Sequence, residues 1–346
     1  MLKKSALLLV ALLFAGMLVW GVWQGQGEHS GVSSASLEDS VPALGERNDI
    51  GFAALRPLAR AQGLDPARVA LGRRLFSDTR LSRDGTIACV SCHRFDLAGA
   101  DGLPRSFGVG RAEGNINAPS VFNSDLNFVQ FWDGRAATLE EQAAGPVHNP
   151  VEMASSWAEV VVRLNADSEL RDAFVAAYPD GVTAKNIAQA LASFERALRT
   201  PGAAFDRYLG GEARALSPLA QEGYEKFRDF GCISCHQGVL LGGNMFQKFG
   251  VMGDYFAARP LTQADLGRYN VTGREEDRHV FKVPSLRNVA QTSPYFHDAS
   301  AATLAEAIVV MGRFQLGREL AEEDVRAIGA FLESLSGQLE EGVVTP

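Results

Sequence analysis

The chain has 346 residues, of which 46% are hydrophobic, with a net charge of −8 and four cysteines. That size and apolar fraction can bury a sizeable core and predict two domains. Beyond Lys3-Lys4 there is no basic run, so nucleic acid is not an expected partner, and the acidic balance fits a basic protein partner better.

Lys3 and Lys4 precede an uncharged apolar run from Ala6 to Trp23, the n-region and h-region pattern of an export signal. The run is at the lower limit for a membrane span, and no clean small-residue cleavage site follows it. Residues 1–23 are therefore read as a signal peptide or, preferred, an uncleaved membrane anchor forming an N-terminal hydrophobic helix. The lysines place the rest of the chain outside the inner membrane, in the periplasm. Residues 24–48, rich in Gly, Ser, Gln and Glu, read as a flexible tether.

The folded part is expected from residue 49. From Pro66 to Phe76 apolar residues recur at helical spacing, with Pro66 at a helix start. A polar loop leads to Cys89-Val90-Ser91-Cys92-His93. C-x-x-C-H is the attachment pattern for c-type haem: both sulfurs bond to the porphyrin edge and the adjacent histidine ligates iron. Further on, Pro146-Val147-His148-Asn149-Pro150-Val151-Glu152-Met153 offers three readings. Met153 or His148 closes the first iron, or Glu152 faces an open iron as an acid–base group for bound peroxide. Ile187, Leu191, Phe194 and Leu198 form the apolar stripe of a closing helix. Thr200-Pro201-Gly202 ends this half, and residues 200–216 read as a linker.

The second half repeats the lead-in: Ser217-Pro218, Ala220, Gly223, Phe227, then Cys232-Ile233-Ser234-Cys235-His236. Either C-x-x-C alone fits a disulfide or half a zinc site, but two copies, each followed by His and using every cysteine, point to two covalent haems. Met245, Met252, His279, His297 and Met311 are the candidate distal ligands of the second iron. Met311 stands where a cytochrome c domain presents its thioether, just before the closing stripe Leu320, Val325, Ile328, Phe331, Leu332 and Leu335. Met245 and Met252 are expected to pack against the haem from loops. The fold class is mainly α, with two cytochrome c-like haem domains, residues 49–200 and 201–346, and long irregular loops.

These residues resemble the bacterial di-haem cytochrome c peroxidases over about residues 50–340. The resemblance is carried by Leu75-Phe76, Asn117-Ala118-Pro119-Ser120-Val121-Phe122-Asn123, Phe131-Trp132-Asp133-Gly134-Arg135-Ala136, Leu139-Glu140-Glu141-Gln142-Ala143, Pro150-Val151-Glu152-Met153, Val283-Pro284-Ser285-Leu286-Arg287-Asn288-Val289, Pro294-Tyr295-Phe296-His297-Asp298 and Met311-Gly312-Arg313-Phe314. It implies a peroxidatic haem on His93 and an electron-transfer haem on His236 and Met311. It also implies Glu152 as the distal acid–base residue beside Gln142, and Trp132 as an electron conduit between the haems, with Phe131 lining the same pocket. One calcium ion is implied, held by the Asn117 side chain and the carbonyls of Thr292 and Pro294, an oxygen set that suits the ion. The implied partners are hydrogen peroxide, a small c-type cytochrome or copper protein as electron donor, and a second copy in a homodimer.

Two positions depart from the family. Many members carry a histidine that ligates the first iron when both haems are oxidised; Val109 stands there. Ala299 replaces the usual Gly after His297-Asp298. A related oxidase branch has Tyr where this chain has Met311, which favours the peroxidase. The rival readings are a membrane-tethered di-haem electron carrier and a di-haem oxidase acting on a protein or organic substrate.

Overall fold

Asp65 starts the first helix by capping it: its carboxylate accepts from the amides of Ala67 (2.9 Å) and Arg68, and Pro66 follows at the first turn. A computed structural model describes residues 55–344 of the chain. The predicted signal or anchor, residues 1–23, and the tether, residues 24–48, lie outside the described residues. Among those described, no helix is long and apolar enough to cross a membrane.

The helices are α1 (Pro66–Phe76), α2 (Cys89–Cys92), α3 (Leu139–His148), α4 (Trp157–Asn165), α5 (Ser168–Ala177), α6 (Ala184–Ala197), α7 (Ala204–Leu209), α8 (Pro218–Asp229), α9 (Tyr269–Thr272), α10 (Leu304–Val310) and α11 (Glu322–Glu333). The one sheet among the described residues is an antiparallel ribbon of β1 (Phe246–Lys248) and β2 (Val280–Lys282). The mainly helical expectation holds, with this short ribbon added.

Among the described residues two large hydrophobic cores form, beside a small cluster of Tyr295, Ala301 and Ala307. The first gathers α1, α3, α4, α5 and α6 around Leu75, Phe76, Leu164, Phe174 and Phe194. The second gathers α7, α8, α10 and α11 around Phe205, Tyr224, Phe227 and Phe331. Both use the same crossing. In the first, α1 meets α6 at Gly72, where a Cβ would sit 1.9 Å from the Ala190 carbonyl oxygen. In the second, α8 meets α11 at Gly223, where a Cβ would sit 1.8 Å from that of Ala327. No side chain fits at either glycine, so each pair of helices packs backbone to backbone. One turn on, Phe76 meets Phe194 (ring centroids 5.3 Å apart) and Phe227 meets Phe331 (5.1 Å). Each pair then touches its haem-motif histidine, Phe76 to His93 at 6.5 Å and Phe227 to His236 at 6.4 Å.

The stretch 200–216 is not the open linker its polar start suggests. It contains α7, and Phe205 is fully buried in the second core. Thr200 is 1% exposed. Its hydroxyl donates to Asn288 Oδ1 (2.7 Å) and accepts from Asn123 Nδ2 (2.9 Å). Polar residues can fill a buried junction when they satisfy one another, as these do.

The two halves are also joined by a reciprocal pair of backbone bonds. Asn117 N–H donates to the His297 carbonyl (2.9 Å), and Lys282 N–H donates to the Trp132 carbonyl (2.8 Å). The segments involved are internal repeats. Asn117-Ala118-Pro119-Ser120-Val121-Phe122-Asn123 aligns with Lys282-Val283-Pro284-Ser285-Leu286-Arg287-Asn288. Phe131-Trp132-Asp133-Gly134-Arg135-Ala136-Ala137-Thr138-Leu139-Glu140-Glu141 aligns with Phe296-His297-Asp298-Ala299-Ser300-Ala301-Ala302-Thr303-Leu304-Ala305-Glu306. The backbone follows: Phe131 and Phe296 have φ of 67° and 71°, and Gln130 and Tyr295 each bridge to the alanine six residues on. Ala299 at φ 59° takes the left-handed role that Gly134 takes at 69°.

Candidate functional site

Cys89, Cys92, His93, Cys232, Cys235 and His236 all line one cavity that runs between the two halves. The four cysteines form no disulfide. Each histidine is anchored alike: His93 Nδ1 donates to the Gly99 carbonyl (3.1 Å) and His236 Nδ1 to that of Leu241 (3.0 Å). This fixes the tautomer that leaves Nε2 with its lone pair free. Burial pushes both imidazoles down, His236 to about 4, so they are held neutral, the ligating form. A cavity lined by two cysteine pairs and two neutral imidazoles with free Nε2 atoms fits two covalently attached haems.

The distal sides differ, and the repeat shows how. Thr138 and Thr303 cap α3 and α10 through the same bond, to the amides of Glu141 and Glu306. Counting equally from each cap, Pro146 in the first half stands where Met311 stands in the second. Both line the cavity. Met311 follows α10 at the start of a π turn, its carbonyl accepting from Leu316 N–H (3.2 Å), and such turns recur at functional sites. Proline has no donor atom to offer iron, whereas the thioether of Met311 does.

Around Pro146 the cavity wall carries Gln142, Val151, Glu152 and Met153. Burial pushes the Glu152 carboxyl up; opposing this, Asn149 Nδ2 donates to its Oε1 at 2.6 Å and Arg135 adds a weaker attraction. His148, offered above as an iron ligand, is instead exposed and its ring lies against Trp157 at 5.7 Å. Met153 is 2% exposed, in the first core. Val109 is buried and is not among the residues lining the cavity; its N–H donates to the Glu152 carbonyl (2.8 Å).

Between the two motifs Trp132 lines the cavity, its indole N–H donating to the Asn117 carbonyl (2.9 Å). Phe131 also lines it, with the Arg135 guanidinium 3.4 Å over its ring. Asp133 and Arg135 close a local ion pair at 2.9 Å. Asn117, Thr292 and Pro294 line the same cavity. The side-chain Nδ2 of Asn117 donates to the Leu103 carbonyl (2.9 Å), which leaves Oδ1 available as an acceptor. His297 is paired with Asp265 (2.8 Å), a carboxylate also held by Arg259 and Thr262. These bonds already use the Asp265 oxygens, so this cluster reads as structural. Of the other ligand candidates, Met252 is 61% exposed, and neither it nor Met245 is among the residues lining the cavity.

Three residues escaped the sequence reading, Asn149 behind the cavity wall and Glu195 and Lys282 on it. Asn149 holds Glu152. Glu195 is a buried carboxyl that desolvation pushes up to about 8, and Lys282 is a buried lysine. The signal for the last two was a charge placed within an apolar pattern, Glu195 beside the closing stripe and Lys282 inside Val280-Phe281-Lys282-Val283-Pro284.

Residues 66–214 match the family model of di-haem cytochrome c peroxidase. The chain is 48% identical to cytochrome c peroxidase Ccp of Escherichia coli K12, over 82% of this chain and 61% of that protein. It is 45% identical to cytochrome c551 peroxidase of Nitrosomonas europaea, over 83% of this chain and 86% of that one. Among solved structures, a MauG-like protein associated with microbial copper homeostasis superposes with a TM-score of 0.75 at 29% identity, over 84% of this chain and 96% of that one. The chain belongs to the di-haem cytochrome c peroxidase family, oxidoreductases that carry two c-type haems and act on hydrogen peroxide with cytochrome electron donors.

Proposed function

We propose that the chain reduces hydrogen peroxide to two waters, taking two electrons from a small c-type cytochrome or copper protein and two protons from solvent. The observation that carries this reading is the unequal pair of distal walls in one cavity: Pro146, Gln142 and Glu152 on the first side, Met311 on the second. The bound haems supply the electron storage and the centre at which the O–O bond breaks.

The side chains supply the rest. Asn149 occupies Oε1 of Glu152, so Oε2 takes the proton from one peroxide oxygen and returns it to the other, which leaves as water. The apolar burial that raises this carboxyl makes it a better base when ionised. Gln142, one turn before Pro146 on α3, orients the peroxide by hydrogen bonding. Met311 and His236 hold the second haem as the electron reservoir, because a thioether ligand favours the reduced state. Trp132 lies on the path from there to the His93 side and stays fixed by its bond to Asn117.

The reading extends to one calcium ion on Asn117, Thr292 and Pro294, to a homodimer, and to a periplasmic setting with residues 6–23 as the tether. The oxygen-only donor set supports the calcium, the resemblance the dimer, and the uncharged run after Lys3-Lys4 the setting. Steady-state peroxide consumption with a reduced small cytochrome c tests the function. Turnover stoichiometric with two cytochromes per peroxide is expected; electron exchange without peroxide consumption would make the chain a carrier instead.

A further inference from the structure

Four cationic side chains line the cavity between the two motifs: Arg135, Lys248, Lys282 and Arg287. Three have a ready source of compensation. Arg135 pairs with Asp133 (2.9 Å), Arg287 pairs with Asp206 (2.7 Å), and Lys248 is exposed to solvent. Lys282 differs. It is 7% exposed, and no ion pair or side-chain hydrogen bond is formed by its ammonium among the described residues. Burial lowers its pKa to about 8, and Asp133, which acts on it only at a distance, offsets this in part. The residue is buried apart from where it lines the cavity, and a cation held so far from solvent is retained where something neutralises it.

The position of Lys282 is fixed by the fold. Its N–H is one of the two reciprocal bonds across the junction, donated to the Trp132 carbonyl. Two residues further on, Pro284 lines the same cavity wall as His236, so the segment runs from the tryptophan toward the second haem motif. In the internal repeat Lys282 takes the place that Asn117 takes in the first half. The two equivalent positions thus present a side-chain oxygen on one side of the junction and an ammonium on the other.

Each c-type haem brings two propionate carboxylates into the cavity. We propose that Lys282 is the protein's counter-ion for a haem propionate in the gap beside Trp132, and so helps to set the reduction potential of that haem. This rests on the two-haem reading of the site. A positive charge beside a haem favours the ferrous state, so removing it should shift the midpoint potential negative.

The test is spectroelectrochemical titration of the full-length holoprotein carrying K282M, K282Q or K282R, with haem content checked by denaturing mass spectrometry. K282M and K282Q should each shift one haem to lower potential and move the propionate bending band in resonance Raman spectra. K282R, which keeps the charge, should stay close to wild type. Which haem shifts identifies the propionate's owner. Unchanged potentials and an unchanged band in K282Q, with two haems attached, would overturn the assignment and leave Lys282 as a cation compensated by Asp133 alone. A wild-type mass short of two haems would instead sink the two-haem reading. K282Q, a smaller change than K282M, keeps the test open if the methionine variant fails to mature.

Discussion

The two halves of the molecule solve the same problem on one side of each haem and opposite problems on the other. On the proximal side they match residue for residue. Gly72 and Gly223 admit the facing helix, Phe76 and Phe227 brace the histidine, and a backbone carbonyl orients each imidazole. On the distal side the capped helices α3 and α10 begin alike and then diverge, with Gln142 against Ala307 and Pro146 against Met311. On the proposed reading, a duplicated scaffold would hold two haems alike and give them different work, because a side chain able to ligate iron stands at only one of these two equivalent positions. On the same reading, Glu152, held by Asn149, adds acid–base chemistry on the side where that position is open.

The comparison is broken most completely by making the first half imitate the second. Pro146→Met should place a thioether over the first iron, convert it to low spin and bring peroxide turnover to near background, as read by optical spectra and steady-state rates. Next in size, Glu152→Gln keeps the shape and removes the proton carrier. Turnover should fall by about 10²–10⁴-fold with both haems unchanged; a loss under about threefold would assign Glu152 to structure. Met311→His perturbs the other half: the second haem should stay low-spin while its potential drops, since imidazole favours ferric iron more than thioether does. An unchanged potential would mean another ligand.

The smallest effect should come from Asn149→Ala, and it is a pH effect. Glu152 accepts a proton only when ionised, and burial already holds its carboxyl above the usual range. The Asn149 bond favours the ionised form, so its loss raises the carboxyl further. Turnover should therefore fail at a higher pH on the acid side, with the rate at high pH kept to within about tenfold. A pH–rate profile that overlays wild type would show that Asn149 does not act through Glu152.

Much of this was legible in the sequence. Asp65-Pro66 and Ser217-Pro218 announce the lead-in helices because cap and proline act locally. The closing stripes follow from helical period, and the two C-x-x-C-H motifs fix the cavity's contents. What was not legible depends on contacts between distant segments. Thr200 looked like a linker residue because nothing nearby in sequence says that Asn123 and Asn288 will satisfy it. Met252 looked like haem packing and is exposed, because loop position does not reveal which way a side chain points. The repeat that equates Pro146 with Met311 was present in the sequence. It was hidden because the stretch leading from each C-x-x-C-H motif to the repeat is unequal, Arg94–Ile116 in the first half against Gln237–Phe281 in the second.

The central claim is that the first iron is open and the second closed. Pro146, the counterpart of Met311, has no nitrogen or sulfur to offer, Val109 has none either and lies outside the cavity wall, Met153 is packed into the first core, and His148 faces solvent. Electron paramagnetic resonance of the air-oxidised protein reads both irons at once. One high-spin ferric signal and one low-spin signal, in equal amounts, with peroxide reacting before any reduction, is the predicted result. Two low-spin signals accounting for all the iron, with no peroxide reaction until one electron is added, would contradict it.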